Sequence, residues 1–180
     1  MANAAFSSSI EILGAKEALR ALNSIDKKAR RQVTKDYAQI VSVVVQEARA
    51  STPTDPPLSG MQYSWKARKT TPIFPWSNAK SDRAIKPFVS GKKPRQYGAY
   101  TSDLATFGIK WTSPDALAVE MSGRGPVPTQ KGKEMVRSLT VRYGTPGRFL
   151  WKAYLRHEET VVSEVKQLIF KVMKQVEKES

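Results

Sequence analysis

Apolar residues recur at three- and four-residue spacing in two long segments of the chain, a pattern that predicts amphipathic helices. The first segment covers residues 24 to 48, with Ser24 as a candidate N-cap and Asp26 in the first turn, where a carboxylate favours the positive end of the helix dipole. The β-branched run from Val41 to Val45 also fits a strand, and we favour the helix. The apolar positions are Ala29, Val33, Tyr37, Ile40, Val41, Val44 and Ala48, and the basic residues of the first turns are Lys27, Lys28, Arg30, Arg31 and Lys35.

The second long helix is predicted at the C-terminal end of the chain. Thr145 is its candidate N-cap and Pro146 its first helical residue, where the missing N–H costs nothing. A shorter helix is predicted over residues 15 to 22. The apolar positions of the C-terminal helix are Phe149, Ala153, Val161, Val165, Leu168, Ile169, Val172, Met173 and Val176.

Four shorter runs alternate apolar and polar positions, the period of a half-buried strand. The first lies near residues 6 to 12, the second is LATFGIKW, the third is ALAVEM and the fourth is SLTVRY. The turn-forming link from Thr112 to Asp115 predicts that the second and third pair as a hairpin. The expected fold is α+β: an antiparallel sheet of about four strands packed against the central and C-terminal helices.

The stretch ARASTPTDPPLSG ends the central helix, because residues that precede proline are pushed toward extended geometry. The following residues, 61 to 100, keep neither helical nor strand periodicity and are longer than an ordinary loop. We predict a single domain over residues 1–180, with a subunit body at 1–60 and 101–180 and an extended interaction arm at 61–100.

The net charge of +14 is concentrated in this arm, which carries nine basic side chains and a single acidic one. The basic side chains are Lys66, Arg68, Lys69, Lys80, Arg83, Lys86, Lys92, Lys93 and Arg95. The candidate aromatic anchors are Trp65, Phe74, Trp76, Phe88, Tyr97 and Tyr100. Phosphate tracking with base stacking would use such a set, but aromatic and arginine anchors are equally typical of protein interfaces. We favour the protein interface.

The composition gives little support to an enzyme. Without cysteine, and with the single histidine His157, neither a Cys–His pair nor a multi-histidine metal site can be assembled. Asp103, Asp115 and Glu120 could approach one another in the sheet region, as chance allows in a chain with sixteen acids. We expect no catalytic residues, no metal and no cofactor. No membrane span or signal peptide is predicted, so the expected place of synthesis is the cytoplasm.

Three short phrases carry a resemblance to a known family. Pro53, Asp55 and Gly60 follow the central helix, Val119 and Glu120 form the second phrase, and Phe149, Leu150 and Ala153 form the third. This arrangement resembles the tail-component, or tail-completion, family of long-tailed double-stranded-DNA bacteriophages. The chain departs from the family pattern at Pro56 and Pro57, at Met121-Ser122-Gly123 and in the length of the arm.

The resemblance implies a non-enzymatic structural protein of the virion neck, where the head joins the tail. It implies a homo-oligomeric ring around the DNA channel, in contact with head–tail connector and tail tube or terminator proteins, with room for non-specific contact with genomic DNA and none with a membrane. A tail-terminator ring that caps the tail tube is the alternative within this class. A non-enzymatic nucleic-acid-binding protein is the alternative from another class.

Overall fold

The computed structural model describes residues 15–25, 27–62, 76, 85–90, 95–97, 100–102 and 107–179. The helices are α1 (Ala15–Ile25), α2 (Lys27–Ile40), α3 (Ser42–Ser51), α4 (Pro114–Met121), α5 (Gln130–Tyr143) and α6 (Leu150–Glu179), with a short 3-10 turn at Ser59–Met61. The strands are β1 (Ile85–Val89), β2 (Arg95–Tyr97), β3 (Tyr100–Ser102) and β4 (Phe107–Trp111). The fold is α+β, as the sequence predicts, and it is mostly helical.

The strands of the described residues form two separate two-stranded sheets. β1 pairs with β4, and β2 pairs with β3. The second pair is antiparallel, with Gln96 opposite Thr101 and Tyr97 opposite Tyr100. A single four-stranded sheet is therefore not what the described residues form, and the strand predicted near residues 6 to 12 lies outside them.

The chain divides into two compact units, each built from several segments. The first unit comprises residues 1–7, 44–86 and 110–156, and the second comprises residues 8–43, 87–109 and 157–180. α4, α5 and the beginning of α6 belong to the first unit, whereas α1, α2 and the rest of α6 belong to the second.

The core of the first unit is centred on Phe149. Its ring meets that of Trp111 at a centroid distance of 6.2 Å and that of Tyr143 at 5.6 Å, both edge-on. Such tilted contacts add stability beyond the burial of the rings. The fully buried neighbours come from α3, the 3-10 turn and the three later helices: Val44, Ala48, Met61, Ala116, Val119, Leu139 and Ala153.

The core of the second unit joins α1, α2 and the later part of α6. Tyr37 of α2 packs against Phe107 of β4 with ring centroids 5.0 Å apart. Arg30 of α2 donates to the carbonyl oxygen of Val89 at the end of β1, at 3.2 Å. The apolar positions predicted for both long helices supply most of the buried residues, which are Val33, Tyr37, Val41, Val161, Leu168, Ile169 and Val172. α1 contributes Leu19. The predicted helical stripes are thus confirmed.

Two predicted strands are wrong, because ALAVEM belongs to α4 and SLTVRY to α5. Pro114 stands in the first turn of α4, where proline is tolerated, so the link from Thr112 to Asp115 starts a helix rather than a hairpin turn. In α5, Leu139 is fully buried whereas Val141 is 79% exposed. A strand would put these two residues on one face, but a helix separates them.

Helix boundaries also differ from the prediction. The single central helix predicted over residues 24 to 48 is instead two consecutive helices, α2 and α3, which a turn at Val41 separates. Ser24 lies inside α1 rather than capping α2, and Asp26 is outside the described residues. Thr145 is not the N-cap of the C-terminal helix, because α6 begins only at Leu150. None of the helices in the described ranges combines the length and the apolarity that spanning a membrane requires.

Position 123, just after α4, requires glycine because of its backbone conformation and because of the side chain that lies next to it. Its φ is +90°, and a Cβ there would lie 2.5 Å from Cγ1 of Val136. We expect Gly123→Ala to lower the free energy of unfolding by about 1–3 kcal/mol, because left-handed strain and a clash with a stiff β-branched side chain add together.

Gly125→Ala is the matched control, because a Cβ at Gly125 would meet nothing within 4 Å. Its effect should stay within about 0.5 kcal/mol. Urea unfolding followed by circular dichroism measures both variants, and equal stabilities for the two would contradict this account of Gly123.

Candidate functional site

The most strongly constrained polar cluster described lies where α4 ends and α6 begins. Glu120, in the last turn of α4, is 4% exposed. Its Oε2 accepts a hydrogen bond from the backbone N–H of Phe149 at 2.8 Å, and its Oε1 accepts one from Trp151 at 3.1 Å. A helix leaves its first N–H groups without partners inside the helix. Glu120 thus caps the N-terminus of α6 across 29 residues of chain.

Arg148 provides the reverse contact from the segment before α6. Its Nη1 donates to the carbonyl oxygens of Val119 at 2.6 Å, Ser122 at 3.0 Å and Glu120 at 3.4 Å. These carbonyls end α4, where the helix dipole favours a positive charge. The backbone N–H of Gly147 adds a further bond to the Glu120 carbonyl at 2.8 Å. We call this pair of contacts, from Glu120 and from Arg148, the reciprocal cap.

Burial is the main electrostatic influence on both members of the reciprocal cap. It raises the pKa of the Glu120 carboxyl above its ordinary value of 4.5, while the backbone donors and the positive charge of Arg148 act in the opposite direction. Burial also lowers the pKa of Arg148, which the negative charge of Glu120 partly offsets. Arg148 is 2% exposed, and its Nε and Nη2 find no hydrogen-bond partner among the described residues. Removing one of these charges would therefore leave the other charge buried without its counterpart.

The chemistry available to this cluster is structural. The Glu120 oxygens are bound to backbone donors, and Asp115 accepts from the hydroxyl of Ser113 at the opposite end of α4. Asp103, the third carboxylate of the predicted group, lies outside the described residues. His157 lies within α6, and the described residues hold no cluster of three or more ligating side chains that could bind a metal ion.

Trp76 is the only predicted anchor between residues 63 and 84 that the structure describes, and it contacts its own unit. Its Nε1 donates to the carbonyl oxygen of Pro53 at 3.1 Å. Its backbone N–H donates to the carbonyl oxygen of Met61 at 2.9 Å. Arg142 of α5 reaches the carbonyl oxygen of Pro57 at 3.5 Å. Two carbonyl groups of the proline-rich exit, and that of Met61 just after it, thus accept hydrogen bonds from other parts of the first unit.

Five other predicted arm residues lie in strands. Lys86 is exposed and Phe88 is half-buried, both in β1. The Phe88 ring covers Gly108 of β4, since a Cβ on that glycine would lie 2.7 Å from the ring. Arg95, Tyr97 and Tyr100 lie in β2 and β3, where the structure describes only the backbone. The remaining candidates are outside the described residues: Trp65, Phe74, Lys66, Arg68, Lys69, Lys80, Arg83, Lys92 and Lys93.

The reciprocal cap was not predicted from the residue pattern. Glu120 was noted as a carboxylate and as part of a family phrase, but nothing local pointed to its partners 29 and 31 residues later. One signal was present: Arg148 stands directly before the apolar stripe of α6, with the turn-forming pair Pro146-Gly147 in front of it. A charged residue directly before a helix can indicate that its side chain binds a group in another part of the chain.

Comparison of the chain with protein-family models, with curated proteins and with solved structures gave no match.

Proposed function

We propose that the protein is a structural component of a bacteriophage head–tail junction. It forms a homo-oligomeric ring that joins or completes the tail at the head and surrounds the channel for the DNA. Its neighbours are head–tail connector and tail tube or terminator proteins, and its place is the neck of the virion. The protein acts by assembly and not by catalysis.

The observation that carries this proposal is the contact between two of the family phrases. Glu120 of the second phrase caps the helix that the third phrase opens at Phe149. The two phrases are far apart in the sequence but form one structural device. Their joint occurrence therefore has a physical reason, which supports the resemblance as more than a coincidence of short motifs.

The first phrase lies in the same unit. Pro53 accepts from Trp76, and Gly60 lies in the 3-10 turn that ends at the buried Met61. All three phrases therefore fall in the first unit. We propose that this unit is the part of the subunit that the family shares, and that the arm provides contacts with neighbouring subunits or rings.

The hydrogen bond between Trp76 and Met61 makes the first part of the arm removable. Because it holds the ends of the segment 63–75 close together, a linker of about four Gly and Ser residues can replace that segment without straining the body. We expect the excised variant to unfold at the same temperature as the full chain within about 3 °C but to lose its assembled state. Light scattering and thermal unfolding measure the two properties.

A second variant controls for the altered charge of the arm. Lys66→Gln, Arg68→Gln and Lys69→Gln together remove the segment's positive charge but keep its length and its aromatic residues. If aromatic anchors drive assembly, this variant should still assemble. An excised variant that keeps the full oligomer mass would refute the role of this part of the arm.

Electron microscopy of particles made with and without the protein tests the proposed place. We expect particles without it to show heads and tails that fail to join. Labelled protein found only at the end of free tail tubes would instead favour the tail-terminator role.

A further inference from the structure

The second unit carries two rows of positive charge with identical spacing, and neither row belongs to the arm. On α2 the row consists of Lys28, Arg31 and Lys35, and on the end of α6 it consists of Lys171, Lys174 and Lys178, all of them exposed. Each row has the spacing i, i+3 and i+7. Residues at this spacing share one face of a helix.

The α6 row and one member of the α2 row, Lys28, border a common groove. Lys28 and Lys171 line the same cavity of about 330 Å³, together with Val33 and Val172, whose side chains are buried. A second and wider depression of about 580 Å³ continues along α6, with Lys171, Lys174 and Lys178 on its walls.

We infer that this surface, formed by Lys28 and the α6 row, binds the phosphate backbone of double-stranded DNA. The step from Lys171 to Lys178 spans about 10 Å at 1.5 Å per residue, the axial length of about three phosphate steps at 3.4 Å per strand. The α6 row can therefore follow the phosphates of one strand, and Lys28 adds a further positive charge at the same groove.

The lining residues favour DNA over a protein helix. Of the six side chains around the wider depression, three are lysines and two are glutamines, and the only hydrophobic one is Phe170, which is 56% exposed. An amphipathic helix needs a series of apolar pockets, and a single ring cannot provide it. Lysine ammonium and glutamine amide groups both donate to phosphate oxygens. Nearby acidic residues, Asp36 in the groove and Glu177 next to Lys178 in the sequence of α6, reduce the positive field without removing it.

This inference goes beyond the proposed ring, because it assigns DNA contact to α2 and α6 and can be tested on purified protein. The probe is a fluorescein-labelled 30-base-pair duplex, followed by anisotropy between about 50 and 200 mM salt. The full chain should bind it with Kd on the order of micromolar at the lowest salt. Neutralising one row with Lys171→Gln, Lys174→Gln and Lys178→Gln should weaken binding at least tenfold. Because each lost phosphate contact removes about 0.9 from the slope of log K against log salt, the slope should fall by about 2–3.

A control with the same charge change lies on α5 of the first unit, where Lys131, Lys133 and Arg137 are exposed. Their replacement by Gln should weaken binding less than threefold. An equal loss in both triple variants would show that only net charge matters and would overturn the inference, as would failure of the full chain to bind the duplex.

Phe170→Ala separates a duplex from other occupants. Since bases in a duplex stay stacked on one another, this substitution should change affinity for the duplex less than threefold. If Phe170→Ala lost more affinity for the duplex than the triple lysine variant, the result would indicate an apolar partner and contradict the proposal. Light scattering of the same variants measures their assembly and so distinguishes the two proposals. A variant that loses DNA binding but still assembles bears on the DNA surface alone and not on the proposed ring.

Discussion

Replacing Glu120 by alanine should lower the free energy of unfolding by about 3–5 kcal/mol at neutral pH, the typical cost of breaking a buried charge pair by removing one partner. The variant leaves the N–H groups of Phe149 and Trp151 without acceptors at the start of α6. It also leaves the buried charge of Arg148 without its counterpart. Urea unfolding measures the change.

Glu134→Ala is the control for this prediction, because Glu134 is an exposed carboxylate on α5 whose only described hydrogen bond is to Gln130, one turn earlier. Its effect should stay within about 0.5 kcal/mol. A similar small effect for Glu120→Ala would mean that the carboxylate is not what holds the start of α6.

The pH dependence of Glu120→Gln gives a second readout. Because burial raises the pKa of Glu120 above 4.5, the folded state binds the proton more tightly than the unfolded state. The resulting stabilisation is complete below pH 4.5 and is lost as the pH rises through the folded pKa. The stability of the full chain relative to Glu120→Gln should therefore fall as the pH rises above that value. A relative stability that rises instead would show that the donors and Arg148 outweigh burial.

Replacing Arg148 by methionine should cost a similar amount, again about 3–5 kcal/mol. Methionine fills much of the same volume but donates no hydrogen bond to the carbonyl oxygens of Val119 and Ser122. Arg137→Met on the exposed face of α5 is the control. The Tm and the urea midpoint should both fall for Arg148→Met and stay close to the original for Arg137→Met.

The double variant Glu120→Gln/Arg148→Met shows whether the two caps act together. Removing both charges avoids the penalty of leaving one of them buried alone. The free energy of unfolding that the double variant loses should therefore be smaller, by at least about 1 kcal/mol, than the sum of the losses of the two single variants. A coupling of this size is in the range measured for residues of one network. Strict additivity would mean that the two caps are independent.

The helical stripes could be predicted because burial follows periodicity over many turns. Val33, Tyr37, Leu168 and Val172 are buried where the spacing placed them. Short apolar runs could not be assigned in this way. Leu117, Val119 and Met121 alternate as in a strand, yet α4 buries Val119 and leaves Leu117 40% exposed. Over so few residues both periods fit, and the proline in the first turn decided in favour of the helix.

The site was harder to predict than the fold because its contacts are distant in sequence. Thr145 met the local rule for an N-cap, but a carboxylate from another helix performs that role at Phe149. The arm was predicted from its composition, its length and its lack of periodicity. Trp76 shows what these cannot reveal, because its indole N–H donates to the carbonyl oxygen of Pro53 in its own unit.

The hydrogen bond from the backbone N–H of Trp76 to the carbonyl oxygen of Met61 has a consequence for sequence variation among related chains. A segment whose two ends are held together can lengthen at small cost, since each doubling of loop length adds only about 0.6 kcal/mol. On the proposed role of the arm in assembly, substituting or exchanging that segment would change which surface the subunit recognises and leave the described helices intact. The same point on the chain is where a fluorescent or affinity tag could be inserted with the least harm to folding.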